Sequence, residues 1–418
     1  IEPEPPDVTV YFVKPRASRI DDVIHPARKF ETIEEAMDEY VYRTTFLINK
    51  RFYGEIERKR AFVLSHGKNM IILKLVGYAE DVIKYYGLEE MSAHIWIGHH
   101  RYPTKGKVWH PGGAHPFLGM HDALIHNGDF ANYMSIKYYL EQYNREPLFI
   151  TDTEVAVLLF DLLNREFKYP LEWTIEAMAP TSERDFYLLP PEKQTLYKEI
   201  QVAHIHGSPD GPWFFQIASH SPSEKKARLI CITDTSMLRP QVFAAYGNNG
   251  WRICFSSSEK QAIDAIMYDL FKDYGDIFPY CERYWFARGG SHTDGGAFIF
   301  ELDYTSATLR AFNKFGHEII FGTKNLPSSD FIKCPPLSIE NRINGKYEEL
   351  KYVIELPTHT SVKKFLENYR GIEPEEFFEL LNSLYLFCKR SITALKVIEF
   401  ITYLHAVSYT HLRAHETG

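Results

Sequence analysis

Residues 98–133 read GHHRYPTKGKVWHPGGAHPFLGMHDALIHNGDFANY, and residues 149–163 continue as FITDTEVAVLLFDLL. Four polar features recur through this stretch in order. Arg101 closes an apolar run, His115 sits in AHP, Asn127 and Gly128 sit in HNG, and Asp152 sits in TDTEV before an apolar helix. Taken singly, three of the four have a plain structural explanation. HNG is a turn between strands, Arg101 is a surface ion pair at a strand end, and Asp152 is a helix cap. Taken together, they supply the parts of a pocket that holds an amino acid by its amide. A forked cation matches an α-carboxylate, and a carboxylate matches an α-ammonium. An amide side chain beside a backbone N–H builds an oxyanion hole. Glycine at 128 lets the backbone come close to a reacting carbon. No nucleophile stands near these residues in sequence.

The bulk of the chain narrows the class. Its 418 residues allow two or three domains, and 45% hydrophobic with 24% charged residues suits a globular protein with a large core. A formal net charge of −8 gives neither a basic footprint for nucleic acid nor a polybasic membrane anchor. Five cysteines, Cys231, Cys254, Cys281, Cys334 and Cys388, are widely spaced and form no CxxC pair, which fits a reducing compartment. The apolar run 384–404 is interrupted by Lys389, Arg390, Lys396 and Glu399, too charged for a membrane span. Seven histidines crowd residues 94–126, yet no HExxH or HxHxD spacing gives them a common face, so no metal site is expected.

Outward from the central stretch, period-two alternation predicts strands at 8–14, 61–67, 70–78 and 94–103. It predicts further strands at HDALIHNG, PWFFQIAS, ARLICITD, QVFAAYG, WRICFSS and 295–303. Helical spacing predicts a helix from 32, capped by Thr32 and running into a strand by 52. Further helices are expected at 79–86, 135–143, 153–163 and 257–271, the last two capped by Thr151 or Asp152 and by Ser257 or Ser258. Residues 164–212 give helices broken by prolines, and 304–335 reads as a connection. Residues 326–407 form a helical extension of unreadable role. Residues 408–418, SYTHLRAHETG, resemble a translated sequencing-adapter tail and are set aside.

The ordered set GHHRYPT, AHPF, HNGDFANY and TDTEV resembles the class II glutamine amidotransferase domain, the N-terminal-nucleophile hydrolase type. It is most similar to the amidotransferase-like domain of archaeal-type glutamate synthase large subunits. INKRF, AFVLSHGKNM, GGAHPF, and ITDTSMLRPQVFAAY followed by FSSSEKQAIDAI extend the resemblance over roughly residues 41–303. It implies that Arg101 binds the glutamine carboxylate, that Thr104 and His115 line the substrate site, that Asn127 and Gly128 form the oxyanion hole, and that Asp152 holds the amino group. His100, Lys105 and Asp129-Phe130 depart from the usual motif residues.

The implied fold is α+β, a four-layer αββα sandwich lacking its first strand, within a domain of residues 1–325. The implied reaction converts L-glutamine to glutamate and ammonia through a cysteinyl thioester. Ammonia passes to a synthase domain or subunit, in the cytoplasm, with no cofactor in this domain and no nucleic-acid or membrane partner. The family's nucleophile is an N-terminal cysteine. This chain starts at Ile1 without one, so it is expected to be a truncated, inert piece of an enzyme. The competing expectation is a non-catalytic ligand-binding or assembly subunit of the same fold.

Overall fold

Along the central strands, odd and even residues are both apolar, so each strand must be covered on both faces. The computed structural model describes residues 7–24, 29–53, 61–100, 111–149, 151–236, 241–248, 250–286 and 288–322. Its strands are β1 (Phe117–Leu118), β2 (Asp122–Gly128), β3 (Trp213–Ser221), β4 (Lys226–Thr233), β5 (Val242–Asn248), β6 (Trp251–Ser257), β7 (Arg283–Phe286), β8 (Ala297–Asp303), β9 (Thr308–Asn313) and β10 (Glu318–Ile319). Its helices are α1 (Ile33–Tyr53), α2 (Ala79–Tyr86), α3 (Tyr133–Glu141), α4 (Asp152–Asp161), α5 (Leu171–Met178), α6 (Glu183–Phe186), α7 (Pro191–Ala203) and α8 (Lys260–Tyr274). The described residues divide into two compact units, 7–263 with 282–322, and 264–281; the sheets and the candidate site all lie in the first. The second contributes the later part of α8 and the residues up to 281.

Seven strands form one sheet in the order β1-β2-β3-β4-β8-β9-β10, and three form another in the order β6-β5-β7, with antiparallel pairing throughout. Trp213, Phe215, Ile217, Ile230, Ile232, Ala297 and Ile299 turn one face of the large sheet toward α3, α4, α5 and α7. Their alternates Phe214, Cys231, Phe298 and Phe300 join Phe243 and Ala245 of β5 in a second core between the sheets. There the Phe243 and Phe298 rings stack at 4.3 Å, and Phe214 meets Phe243 edge-on at 6.0 Å. The fold is thus α+β, with helices on one face of the large sheet and the small sheet on the other.

Helix α4 is the centre of the helical layer: every residue from Thr153 to Asp161 is buried. Its polar end is held by a network of charges. Asp161 takes Arg145 at 2.7 Å and Arg165 through both oxygens at 2.7 and 2.8 Å. It also accepts the Met120 amide at 3.0 Å. Arg165 continues to Glu39 on α1 and Arg145 to Glu166, each at 2.7 Å. The network fixes α1 and α4 against the β1–β2 connection.

Several expectations need correction. The extended segments 8–14, 61–67, 70–78 and 94–100 carry alternating patterns but enter no ladder. Residues 8–14 are exposed throughout, while in 70–76 and 94–100 the alternation reports one-sided burial, which an extended chain shares with a paired strand. The strand expected by 52 is instead the last turn of α1, which stays helical to Tyr53. Thr32 caps this helix as expected, its hydroxyl accepting the Glu35 amide at 3.2 Å while Glu35 reaches back to the Glu31 amide. The connection expected from 304 contains β9 and β10, whose residues have mixed polarity because β9 meets the inter-sheet core only through part of its length. Strand β7 was not anticipated. The proposed boundaries at 325/326 and 407/408 lie outside the described residues. No helix among the described residues is long and apolar enough to cross a membrane.

Candidate active site

The described motif residues His115, Asn127, Gly128 and Asp152 lie at or beside the end of β2. Gly128 has φ of 108°, and a Cβ there would stand 2.0 Å from the Pro212 carbonyl oxygen and 2.8 Å from the Trp213 Cα. Only glycine meets both conditions, an unusual φ and a backbone pressed against its neighbour. Asp129 N then donates to Pro212 O at 3.1 Å, closing the strand end onto β3. The glycine of HNG is therefore fixed by the fold itself.

Strand alternation sends the two residues before it to opposite faces. His126 pairs in register with Phe215, which faces the helices, and Asn127 with Phe214, which faces the small sheet. Asn127 lines a cavity of about 210 Å³ with Gln216, Ser256, Ser257, Ser258 and His99. Gln216 spans the sheets there, its amide donating to Ser256 O at 2.7 Å and Ser256 Oγ at 3.0 Å. Residues 98–100 also border a larger cleft of about 1310 Å³, floored by Ala123, Ala218 and Ala227. The small floor residues leave that space open.

On the helix face, His115, His126 and Asp152 come together. Thr151 is the N-cap of α4, its hydroxyl accepting the Thr153 amide at 3.1 Å, and Asp152 Oδ1 accepts the same amide at 2.9 Å. His126 Nδ1 lies 3.5 Å from Asp152 Oδ1. Burial alone would raise the Asp152 carboxyl. The hydrogen bond from His126, the side chain of Asp129 and the Thr153 amide together bring it below its ordinary value. Two carboxyl groups, Asp129 and Asp152, thus meet at the head of a helix, an arrangement suited to a cationic ligand group.

His115 is held by protein groups at both ring nitrogens. Its Nδ1 accepts the His126 amide at 3.4 Å, so in the neutral ring Nε2 carries the proton and donates to Thr153 Oγ1 at 2.6 Å. His115 ties the loop before β1 to both β2 and α4, and its ring also packs against His99 at 4.2 Å. Arg101 and Thr104 lie outside the described residues.

Sequence reasoning missed four polar residues in or beside the candidate site. His126 and Asp129 flank the motif pair; the extra carboxylate of Asp129 was a signal, whereas the face that His126 takes was not legible. Gln216 gives no local signal, because its role depends on the opposite sheet. Lys74 is the fourth, buried with Nζ 3.9 Å over the Phe117 ring. Burial pushes its ammonium down to about 7, against the pull of Glu154. Burial likewise pushes Glu154 up to about 7, although its carboxylate accepts the Leu148 and Phe149 amides at 2.8 and 2.7 Å.

Comparison with known proteins yields partial relatives, and no family model matches the chain. An uncharacterized protein of Archaeoglobus fulgidus is 31% identical over 252 residues, covering 60% of this chain and 62% of that protein. The glutamine–fructose-6-phosphate aminotransferase (isomerizing) of Campylobacter jejuni is 38% identical over 104 residues, 25% of this chain and 17% of the relative. The amidophosphoribosyltransferase of Methanothermobacter thermautotrophicus is 32% identical over 138 residues, 32% and 28% of the two chains. This chain thus spans less than two thirds of each of these curated relatives. Part of it is homologous to glutamine amidotransferases.

Proposed function

We propose that the first unit is the glutamine-holding part of a class II glutamine amidotransferase domain, serving a glutamate-synthase-type reaction in the cytoplasm. The fold in this reading is the four-layer αββα sandwich of N-terminal-nucleophile hydrolases. Two sheets sharing an inner core, with helices over the outer face of the larger, support it. One juxtaposition carries the functional reading. The amide and glycine of Asn127–Gly128 leave β2 at the point where His126 meets Asp152 at the head of α4.

In this arrangement Asp152, with Asp129 beside it, takes the α-ammonium of L-glutamine, and Arg101 takes the carboxylate. Attack of a thiolate on the side-chain carbonyl carbon gives a tetrahedral oxyanion, which the Asn127 amide and the Gly128 N–H stabilise. Breaking the C–N bond with proton transfer to nitrogen releases ammonia toward a synthase domain or subunit. Water then cleaves the thioester to give glutamate. None of the described cysteines lines the Asn127 cavity, and burial pushes the Cys231 thiol up to about 12. Holding of glutamine is therefore the property to test in this chain.

Isothermal titration of the 418-residue chain should show L-glutamine binding that Asp152→Asn weakens at least about tenfold, the loss of one charged contact. No binding at tens of millimolar, or equal binding by the variant, overturns the reading. Ammonia release in the same samples separates hydrolysis from a module that only holds the ligand.

A further inference from the structure

His126 has no part in the chemistry above, yet it is fully buried within the site. Its side chain is 1% exposed. Phe130 and Phe215 enclose it at ring separations of 5.8 and 5.2 Å, and the His115 ring lies parallel at 6.3 Å. A buried imidazole must give up water at both nitrogens. Nδ1 recovers a contact, to Asp152 at 3.5 Å, whereas Nε2 is buried with no hydrogen-bond partner among the described residues. An unsatisfied buried polar atom costs about 1–3 kcal/mol. A phenylalanine would fill the same aromatic box without that cost, so packing does not account for histidine here.

The geometry selects a tautomer. With the proton on Nδ1, the ring donates toward the Asp152 carboxylate and leaves Nε2 as a bare lone pair, and a buried acceptor without a partner is better tolerated than a buried N–H. The opposite tautomer sets two lone pairs against each other at Asp152 and buries an unpaired donor. The titratable groups against the imidazole are Asp152 on α4 and His115 before β1, with Asp129 after β2 reaching Asp152.

We propose that His126 is a positioning residue, its Nδ1–H orienting the Asp152 carboxylate so that the free oxygen lone pairs face the ammonium group of an incoming amino acid. This role rests on Asp152 being the ammonium site.

Two measurements on the full chain test it. In the ligand-free protein, nitrogen-15 spectra of labelled histidine, with the His126 signal identified by its loss in His126→Asn, should show the Nδ1–H tautomer. That signal should shift in Asp152→Asn. An Nε2–H tautomer, or indifference to Asp152→Asn, overturns the proposal whether or not glutamine binds. In titrations with L-glutamine, His126→Phe should lose about tenfold in affinity while unfolding at the wild-type temperature, equivalent to about 1.4 kcal/mol. His126→Asn, whose amide restores a donor, should stay within about threefold of wild type, under about 0.7 kcal/mol. Equal affinities for the wild type and His126→Phe overturn the positioning role. Wild-type protein that binds no glutamine sinks the proposed function instead, and the tautomer still decides the role of His126.

Discussion

Gly128 and Thr151 show how single residues set the site. Replacing Gly128 by alanine places a methyl group against the Pro212 carbonyl at φ of 108°. We expect a loss of at least about 2 kcal/mol in urea unfolding; a smaller loss would show that the β2 end can relax. Thr151 and Asp152 both accept the Thr153 amide, so the cap is shared. Asp152→Asn should therefore change stability by less than about 1 kcal/mol while lowering glutamine affinity, whereas Thr151→Ala should cost about 1 kcal/mol with affinity nearly kept. If Asp152→Asn costs as much stability as it does affinity, the carboxylate is a cap and not a ligand. At this scale the sequence was informative, because HNG and TDTEV each name their residues directly. It did not separate the roles of neighbours: His126 and Asn127 differ only in which face of β2 they take.

Among the elements, α4 and its charged end dominate. Arg145 and Arg165 neutralise Asp161 in the interior, so Arg145→Met leaves part of a buried charge uncompensated and should cost about 3–5 kcal/mol in denaturant unfolding. A cost under about 1 kcal/mol would mean that Arg165 alone suffices. The same pair sets an acid limit. Burial alone would raise Asp161, and Arg165 and Arg145 hold it well below the usual carboxylate range. Its stabilisation is fully present above the unfolded carboxylate value of about 3.9 and is lost as pH falls from there toward the folded value. Stability measured between pH 5 and 2 should fall less steeply in Asp161→Asn than in the wild type, and parallel curves would remove Asp161 as the cause. The helix itself was readable from an apolar run behind a Thr-Asp-Thr start. The network was not, since Glu39, Arg145 and Arg165 are far apart in sequence and look like ordinary surface charges.

For the whole molecule, the seam between the sheets is the main structural commitment. Phe243→Ala opens a hole between Phe214 and Phe298, and we expect a loss of about 3–5 kcal/mol seen as a lower urea midpoint. A loss near 1 kcal/mol would mean that the small sheet is not fastened there. The sequence by itself determined the α+β class, the strands that become β2 to β6 and β8, the helices that become α3, α4 and α8, and the order of the motif residues. These follow from local periodicity and from short motifs, which need no knowledge of distant partners. Only the tertiary structure decided that 61–78 and 94–100 lie over the sheet without joining a ladder, because alternation records burial and pairing needs a neighbour. It alone set Gln216 against Ser256 and closed the charges around Asp161, both matters of distance in space. It also turned His126 beneath Asp152 and Asn127 into the opposite cavity, since a strand's two faces acquire meaning only when a different layer covers each.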